Sequence, residues 1–233
     1  MNPKILVTGA TGTIGSFVID SLLEKGADFK ALVRNNDKAK SFLSRGINTS
    51  VGDFNDSASM EAALKDVDKV FLLSVTSPEI PRLQGNVARA AARMGVKHIV
   101  KLSAHGTAPD SPIGIARFHA QAEEAIRKTG VPFTFLQPQS FMQNLIFDRE
   151  TIHERGEIFS HAGDGKIAMI DARDIAVAAV AALLTEGHEG QTYELTGPEA
   201  ISYYDVAETV SAVLDKPVKY VPVTSVHARS SMM

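Results

Sequence analysis

The stretch Thr8-Gly9-Ala10-Thr11-Gly12-Thr13-Ile14-Gly15 decides the fold predicted for this chain. It follows a short apolar run, opens an amphipathic segment and spaces its glycines as G-x-x-G-x-x-G. A diphosphate needs backbone N–H donors, a close approach of the main chain and the positive end of a helix dipole. We expect Gly9 to allow the tight turn, Gly12 to leave room for a phosphate, and Gly15 to let the helix pack on the sheet. This context favours a dinucleotide-binding loop over a glycine-rich turn that holds no ligand.

The first two thirds of the chain alternate short β-branched runs with amphipathic segments. Predicted strands lie at Lys4–Thr8, Phe29–Val33, Asn48–Val51, Lys69–Leu73, His98–Leu102 and Pro132–Leu136. Predicted helices lie at Thr13–Lys25, Lys38–Ser44, Ser59–Lys65, Leu83–Met94 and Ala116–Lys128. Such alternation predicts an α/β fold, a Rossmann-type doubly wound parallel sheet with helices on both faces.

Beyond about residue 145 the alternation loosens, and we predict a smaller C-terminal lobe on the substrate side. The expected division is a NAD(P)-binding Rossmann domain over residues 1–150 and this lobe over residues 151–233. After residue 150 we first predict two short strands around a turn, at Ile152–His161 and Lys166–Ile170, and a buried helix at Arg173–Leu184. A strand, a helix and a strand follow at Thr192–Leu195, Tyr204–Leu214 and Val218–Val221. The last predicted element is the start of a helix at Val226–Met233.

Composition excludes several classes of protein. The 233 residues are 44% hydrophobic and 22% charged, which is ordinary globular usage and gives enough apolar side chains for a core. There is no cysteine, so disulfides, thiolate metal sites and a cysteine nucleophile are ruled out. A net charge of −3 without a basic block argues against a nucleic-acid surface, and no apolar run reaches the roughly 18 residues of a membrane span. We expect a cytoplasmic protein without a metal site.

Residues after the second and third strands bear on the choice of cofactor. An acid at the end of the second strand would bind the ribose hydroxyls of NAD, but this chain has Arg34 there and no acid before Asp37. A guanidinium can clamp a phosphate, so NADP(H) is preferred over NAD(H), although a solvated loop arginine is the alternative. Asp53, after the third strand, is placed to meet the adenine amino group. Within the glycine-rich loop, the further candidate cofactor-binding residues are Thr11, Thr13 and Ile14.

Several further stretches carry a family resemblance. They include Leu32-Val33-Arg34-Asn35, Gly95-Val96-Lys97-His98-Ile99, Gly130-Val131-Pro132-Phe133-Thr134, Ala162-Gly163-Asp164-Gly165-Lys166 and His188-Glu189-Gly190-Gln191-Thr192-Tyr193-Glu194-Leu195. With them, the chain resembles the NmrA-like family of atypical short-chain dehydrogenases, and within it the NADPH-dependent quinone oxidoreductases and triphenylmethane reductases. Two departures stand out: Gln137 occupies the position before Pro138 where members usually have arginine, and members run further, so the substrate-side lobe is expected to be shortened at its C-terminus.

The catalytic candidates follow from what is missing. No Tyr-x-x-x-Lys pair exists, so the proton-donating tyrosine of standard short-chain dehydrogenases is absent and sugar-nucleotide chemistry is improbable. Where isoflavone-reductase-like relatives carry lysine, this chain has His119, which could donate a proton or bind the nicotinamide ribose, with Glu123 one turn on to hold it. Ser103, after the fifth strand, could bond a substrate oxygen or its own backbone. Flanking the cofactor, we expect Ser74, Val75 and Pro138.

Two functions from different classes remain open at this point. The first is NADPH-dependent hydride transfer to a quinone-like or other conjugated acceptor, which needs little acid assistance because the reduced ring stabilises its own anion. The second is a non-catalytic NADP(H)-binding redox sensor that transmits its state to a protein partner. The expected partners are a small-molecule substrate, a quinone among the candidates, and a second copy of the chain in a homodimer.

Overall fold

The glycine-rich loop follows an interior strand of a seven-stranded, all-parallel sheet, whose strands, numbered along the chain, lie in the order β3-β2-β1-β4-β5-β6-β9. The structure is a computed structural model, and it describes residues 3–223. The strands of this sheet are β1 (Ile5–Val7), β2 (Phe29–Val33), β3 (Asn48–Val51), β4 (Lys69–Leu72), β5 (His98–Leu102), β6 (Phe133–Pro138) and β9 (Gln191–Leu195). The helices that alternate with them are α1 (Thr13–Glu24), α2 (Asn36–Leu43), α3 (Ser57–Leu64), α4 (Ile80–Arg93), α5 (Gly114–Arg127) and α7 (Ala172–Leu184).

The strand order contains one reversal, and it determines where a ligand can bind. The chain moves from β1 outward to β3 and then returns to the other side of β1 as β4. The carboxyl ends of β1 and β4 therefore diverge into connections on opposite faces, which opens a crevice at that edge. The loop that follows β1 borders this crevice. The predicted Rossmann-type doubly wound fold is confirmed.

Helices cover both faces of the sheet because its strands are apolar on both sides, as parallel strands usually are. All residues of β1 and β5 are buried. On one face, strand residues such as Val70 and Ile99 pack against Leu64 of α3, Val87 of α4 and Ile126 of α5. Helix α7 packs beside α1. A continuous core of this kind holds the carboxyl edge of the sheet in fixed geometry.

The chain divides into two units, and the division differs from the boundary predicted at residue 150. The first unit contains the residues up to Pro138 together with Ala172–Leu195; the second contains Gln139–Asp171 and the residues from Thr196 onward. The reason is that β9 pairs in parallel with β6, with α7 as the crossover, so this βα segment completes the main sheet. The predicted assignment of all residues after 150 to the smaller lobe was therefore wrong.

The second unit has its own small core and two short sheets. Its elements are a 3-10 helix (Met142–Asp148), α6 (Arg149–Arg155), β7 (Glu157–Ser160), β8 (Lys166–Ile167), β10 (Ile201–Ser202), α8 (Tyr203–Leu214) and β11 (Lys219–Pro222). Strand β7 pairs in parallel with β11, and β8 pairs antiparallel with β10. The buried residues of this unit include Ile152, Ile158, Val206 and Tyr220.

Two predictions about this unit need correction. The strand expected over Ile152–His161 begins only at Glu157, because its first four residues complete α6, which ends at Gly156 in the left-handed conformation. The strand predicted over Lys166–Ile170 ends at Ile167, and the two strands beside the turn at 162–165, β7 and β8, pair with β11 and β10 respectively. The helix predicted at Val226–Met233 lies outside the described residues. None of the helices in residues 3–223 is both long enough and apolar enough to cross a membrane.

Candidate functional site

The loop after β1 turns sharply at Gly9 and runs directly into α1. Gly9 has φ +63, a left-handed conformation that strains any residue with a side chain, and a Cβ there would lie 2.7 Å from Cγ of Leu73. The N–H of Gly12 donates to the carbonyl oxygen of Gly9 at 3.0 Å and closes the turn. The glycine at position 9 is therefore required by the protein's own backbone.

Gly15 is required for a different reason. A Cβ on Gly15 would overlap the carbonyl oxygen and carbon of Gly9. The first turn of α1 thus lies directly against the loop. We expected Gly15 to allow packing of the helix on the sheet; the contact that excludes a side chain is with the loop instead.

Gly12 is the one glycine of the motif whose side-chain space is open. Its φ of −88 is accessible to any residue, and a Cβ would meet only the carbonyl oxygen of Gly9, at 3.4 Å. Gly12 is the N-cap of α1, which has no side-chain cap and no acidic residue in its first turn. The N–H groups of Thr13, Ile14 and Gly15 have no hydrogen-bond acceptor among the described residues. Free amide donors beside space that a side chain would fill fit the diphosphate of a dinucleotide.

Thr8, at the end of β1 and directly before the loop, is fully buried. Its hydroxyl donates to the carbonyl oxygen of Leu73 and accepts from the N–H of the same residue, both at 2.8 Å. These bonds tie the end of β1 to the segment after β4, across the reversal in strand order. The side chain of Thr8, which sequence reasoning did not single out, therefore fixes the segment after β4 against the end of β1.

Arg34 and Asp53 lie at the carboxyl ends of adjacent strands, as predicted. Arg34 is exposed and has no hydrogen-bond or ion-pair partner among residues 3–223. Asp53 accepts from the N–H and the side-chain amide of Asn55 at 2.8 and 3.0 Å through one carboxylate oxygen. Those bonds, followed by the charge of Arg34, lower the pKa of Asp53. The guanidinium is available for a phosphate, and the second oxygen of Asp53 has no protein partner in the described chain.

Three further residues expected to flank the cofactor occupy this edge of the sheet. Ser74 follows β4, and its hydroxyl accepts from Nε2 of Gln84 at 3.0 Å. Val75 is 68% exposed. Pro138 ends β6 and is buried, with its carbonyl oxygen accepting from the N–H of His105 at 3.0 Å. Their positions match the prediction, and their contacts with a cofactor stay predictions.

The Ser103 hydroxyl is directed at Glu123, so it is not free to donate to a substrate. Both residues are buried, and Ser103 Oγ donates to Oε1 of Glu123 at 2.5 Å. Gln137 Nε2 donates to the same oxygen at 3.0 Å, and Arg127 donates to Oε2 at 3.3 Å. Glu123 was expected to hold His119 one turn away. That expectation was wrong, because three donors from β6, α5 and the end of β5 satisfy the carboxylate.

His119 is buried on α5, and its partner is Lys101 of β5. Lys101 Nζ lies 2.8 Å from Nδ1 of His119 and 3.2 Å from the carbonyl oxygen of Leu102. Burial lowers the pKa of His119 to about 3, assisted by the charge of Lys101. Burial also lowers the pKa of Lys101 to about 7, against the opposing charge of Glu123. The histidine is therefore neutral near pH 7, while the lysine titrates there.

Sequence reasoning missed Lys101, although the sequence carried a signal for it. The strand His98-Ile99-Val100-Lys101-Leu102 is apolar around the lysine, and a lysine in a central parallel strand must either be paired or serve the chemistry of a site. No cluster of three or more candidate metal ligands occurs among residues 3–223.

Comparison with known proteins agrees with this arrangement. A profile described as the NmrA-like family matches residues 1–231. The chain belongs to the NmrA-like family. The resemblance inferred from the sequence is therefore confirmed.

Three similar proteins are named a reductase or an oxidoreductase. The NAD(P)H azoreductase of Xenophilus azovorans is 43% identical over 228 residues, which are 98% of this chain and 80% of that protein. The crystal structure of Citrobacter sp. triphenylmethane reductase complexed with NADP(H) has a TM-score of 0.86 and 31% identity, covering 98% of this chain and 82% of the other. An Escherichia coli NADPH-dependent quinone oxidoreductase complexed with NADPH has a TM-score of 0.87 and 33% identity, covering 94% and 78%.

Proposed function

We propose that this protein is an NADPH-dependent oxidoreductase that transfers a hydride to a quinone-like or other conjugated acceptor. The observation that carries the proposal is the open space at Gly12, bordered by the unpaired N–H groups of α1 and lying at the reversal in strand order. No contact within residues 3–223 requires glycine at position 12, so a ligand that comes close to the main chain explains it. The three relatives are NAD(P)H-dependent or bound to NADP(H), which supports the same cofactor for this chain.

The preference for NADPH rests on Arg34. The extra phosphate of NADPH sits on the adenosine ribose, and the ribose is read at the end of β2, where Arg34 stands. An acid in that place would accept from ribose hydroxyls; a guanidinium instead donates to a phosphate. Because Arg34 has no other partner in residues 3–223, it can bind that phosphate without breaking an existing ion pair.

The choice of acceptor rests on the side chains at the carboxyl edge. When bound, NADPH supplies a hydride, and this chain adds no tyrosine–lysine pair to protonate a simple alcohol product. A conjugated acceptor delocalises the electron pair it receives, so its reduction depends less on a positioned acid. Quinones, azo compounds and triphenylmethane dyes, named for the three relatives, all have extended conjugation. We therefore place this protein's substrate in that class.

Two side chains complete the proposed site. His119 keeps Nε2 without a hydrogen-bond partner among the described residues, which makes it the ring nitrogen available to an acceptor oxygen or to the nicotinamide ribose. Ser103 donates to Glu123 and so acts on that carboxylate, leaving only its lone pairs for a ligand. His119 is the proposed substrate-facing residue, and Ser103 is proposed to hold the carboxylate of Glu123 in place.

Turnover tests the proposal and separates it from the redox sensor. Purified protein is incubated with NADPH and a panel of quinones, azo dyes and triphenylmethane dyes, and loss of the reduced nicotinamide absorbance is followed. Gly12→Val serves as the control for contaminating reductases, because it should remove cofactor binding. Acceptor-dependent oxidation by the unmutated protein alone supports the proposal. Tight NADPH binding without turnover of any acceptor would contradict it and favour the sensor.

A further inference from the structure

Lys101 is fully buried at the centre of the sheet, where a charged side chain is costly. Its neighbours in register are Leu72 on β4 and Phe135 on β6, both buried and apolar. Replacing buried charged groups with well-packed apolar residues is often neutral or stabilising, so a buried lysine is weak evidence of a contribution to stability. The position of Lys101 thus calls for a function that outweighs the cost of burial.

The contacts of Lys101 define the state of the His119 ring. An ammonium group has only donors, so at 2.8 Å it donates to Nδ1 of His119, and the proton of the neutral ring must then lie on Nε2. Its second donor reaches the carbonyl oxygen of Leu102 at 3.2 Å, which fixes the direction of Nζ. A charged Lys101 therefore holds His119 as the Nε2–H tautomer.

The charged groups around the pair come from one helix. From α5, His119 touches Lys101 directly, and Glu123 acts on it through space. Glu123 also binds Arg127 at 3.3 Å, which balances part of its charge. The two flanking strands present the apolar Leu72 and Phe135 at this level, so desolvation dominates the behaviour of the lysine.

We propose that Lys101 is a positioning residue whose own proton moves to Nδ1 of His119 as His119 passes its Nε2 proton to the reduced acceptor. The inference rests on the proposed function. Reduction of a quinone to the hydroquinone takes one hydride, with its two electrons, and one proton that balances the resulting charge. As His119 gives its Nε2 proton to the anionic oxygen, the N–H bond at Nε2 breaks, a new N–H bond forms at Nδ1 with a proton from Lys101 Nζ, and Lys101 is left as a neutral amine.

This transfer avoids forming an imidazolium. Burial and the charge of Lys101 hold the pKa of His119 near 3, so a proton cannot simply be stored on the ring. The pKa of Lys101, near 7, places a donor of suitable strength directly behind it. After product leaves, the Nδ1 proton moves back to Lys101 as a proton from solvent reaches Nε2, so the ring does not hold both protons and both groups recover their starting states.

The first test needs no turnover. Protein labelled with ¹⁵N-histidine reports the protonation of each ring nitrogen by NMR, with His119→Gln used to assign the signals. In the unmutated protein, His119 should show a protonated Nε2 and an unprotonated Nδ1 at pH 6, with the pattern changing as pH rises through about 7. In Lys101→Met, which keeps the length of the side chain without the charge, the tautomer preference should weaken and the pKa of His119 should rise. Lys97→Met, an exposed lysine before the same strand, is the matched control and should change neither.

The second test uses turnover at saturating NADPH across pH. The unmutated protein should lose kcat above about pH 7 as Lys101 becomes neutral, whereas Lys101→Met should show a lower kcat without that decline. Because a quinone stabilises its reduced anion, we expect a loss of about tenfold with quinones and about a hundredfold or more with an azo acceptor, where acid assistance matters more. The KM for NADPH should not change.

The two tests separate failure of the inference from failure of the proposed function. An Nδ1–H tautomer at pH 6 in the unmutated protein would overturn the inference, and it can be read even if Lys101→Met does not fold. The inference would also be overturned if Lys101→Met lost kcat equally with both acceptors and kept the pH profile of the unmutated protein, since a purely structural role predicts that result. Absence of turnover in the unmutated protein would instead overturn the proposed function and the relay with it, whatever the tautomer.

Discussion

The first turn of α1 lies so close to the loop before it that a side chain on Gly15 would overlap the carbonyl group of Gly9. Gly12, between them, has no such contact within the protein. The same motif therefore contains glycines with two different purposes. Gly9 and Gly15 are needed for the loop to form, and we propose that Gly12 is needed for the cofactor that the loop binds.

This difference predicts opposite outcomes for two substitutions. Gly12→Val should leave the protein folded, with a similar midpoint in thermal unfolding, but abolish NADPH binding measured by calorimetry. Gly15→Ala should lower the stability itself by about 1–3 kcal/mol, since an added methyl group forces the backbone of Gly9 to move. Retained NADPH affinity in folded Gly12→Val would show that the ligand lies elsewhere.

Arg34 should determine the choice between the two nicotinamide cofactors. NADPH is expected to bind more tightly than NADH, and Arg34→Ala should remove most of the difference, about 1.5–3 kcal/mol for hydrogen bonds to a charged group. Dissociation constants of both cofactors for both proteins check this. Arg45→Ala is the matched control, because Arg45 is also exposed but pairs with Asp20. Equal affinities for NADPH and NADH in the unmutated protein would refute the assignment.

Ser103→Ala should affect stability through Glu123. The substitution removes one of three donors from a buried carboxylate, which typically costs about 1–3 kcal/mol. Chemical denaturation measures the loss, with Ser44→Ala, an exposed serine that bonds only a local carbonyl, as the control. If stability stays unchanged while the KM for the acceptor rises steeply, the hydroxyl faces the substrate and does not support Glu123.

Burial of His98 should make the protein sensitive to acid. His98 is 1% exposed; its Nε2 hydrogen-bonds Thr134 at 2.8 Å, and its buried Nδ1 has no hydrogen-bond partner among the described residues but lies 3.9 Å from Oε1 of Glu189. Burial lowers the pKa of His98 to about 4. The folded-state pKa of His98 lies below the usual value of 6.5, so the folded state favours the neutral ring. The resulting contribution to the free energy of unfolding is fully present above pH 6.5 and is lost as pH falls toward 4.

The loss amounts to about 3 kcal/mol, from 1.36 kcal/mol for each unit of pKa. Unfolding free energies measured between pH 7 and pH 4 should therefore fall less steeply in His98→Gln than in the unmutated protein. His161→Gln, at an exposed position, is the control and should keep the steep fall. An identical slope in His98→Gln would mean that the pKa of His98 is the same in the folded and unfolded states, and would contradict the shift that burial predicts.

Local patterns predicted most of the first unit because its elements are short and regular. The predicted bounds of β2, β3 and β5 match the structure, because each of these short strands lies between turn residues and a helix that limit where it can begin and end. What the patterns could not show was that β9 returns to the main sheet. The sequence of Gln191–Leu195 indicates a strand, but its neighbour is chosen by the crossover through α7, which is a long-range property.

The site was predictable to the same extent. Residues that act through the backbone or at strand ends, such as Gly12 and Arg34, follow from a motif and a position. The partners of His119 and Ser103 do not, because they depend on which side chains of β5 and α5 meet in the core. The expected bond between His119 and Glu123 was consistent with helix periodicity. In the structure, however, Ser103 and Gln137 donate to the carboxylate of Glu123, and His119 is hydrogen-bonded to Lys101.

Direct hydride transfer from bound NADPH to a conjugated acceptor is the central claim, and an isotope measurement tests it most directly. NADPH carrying deuterium at the transferred position is compared with ordinary NADPH in single-turnover reactions with the same quinone. Direct transfer predicts a clearly slower reaction with the deuterated cofactor in the unmutated protein and no reaction with either in Gly12→Val. Two results would contradict it. One is quinone reduction at the same single-turnover rate with deuterated and ordinary NADPH, and the other is quinone reduction by Gly12→Val at the rate of the unmutated protein.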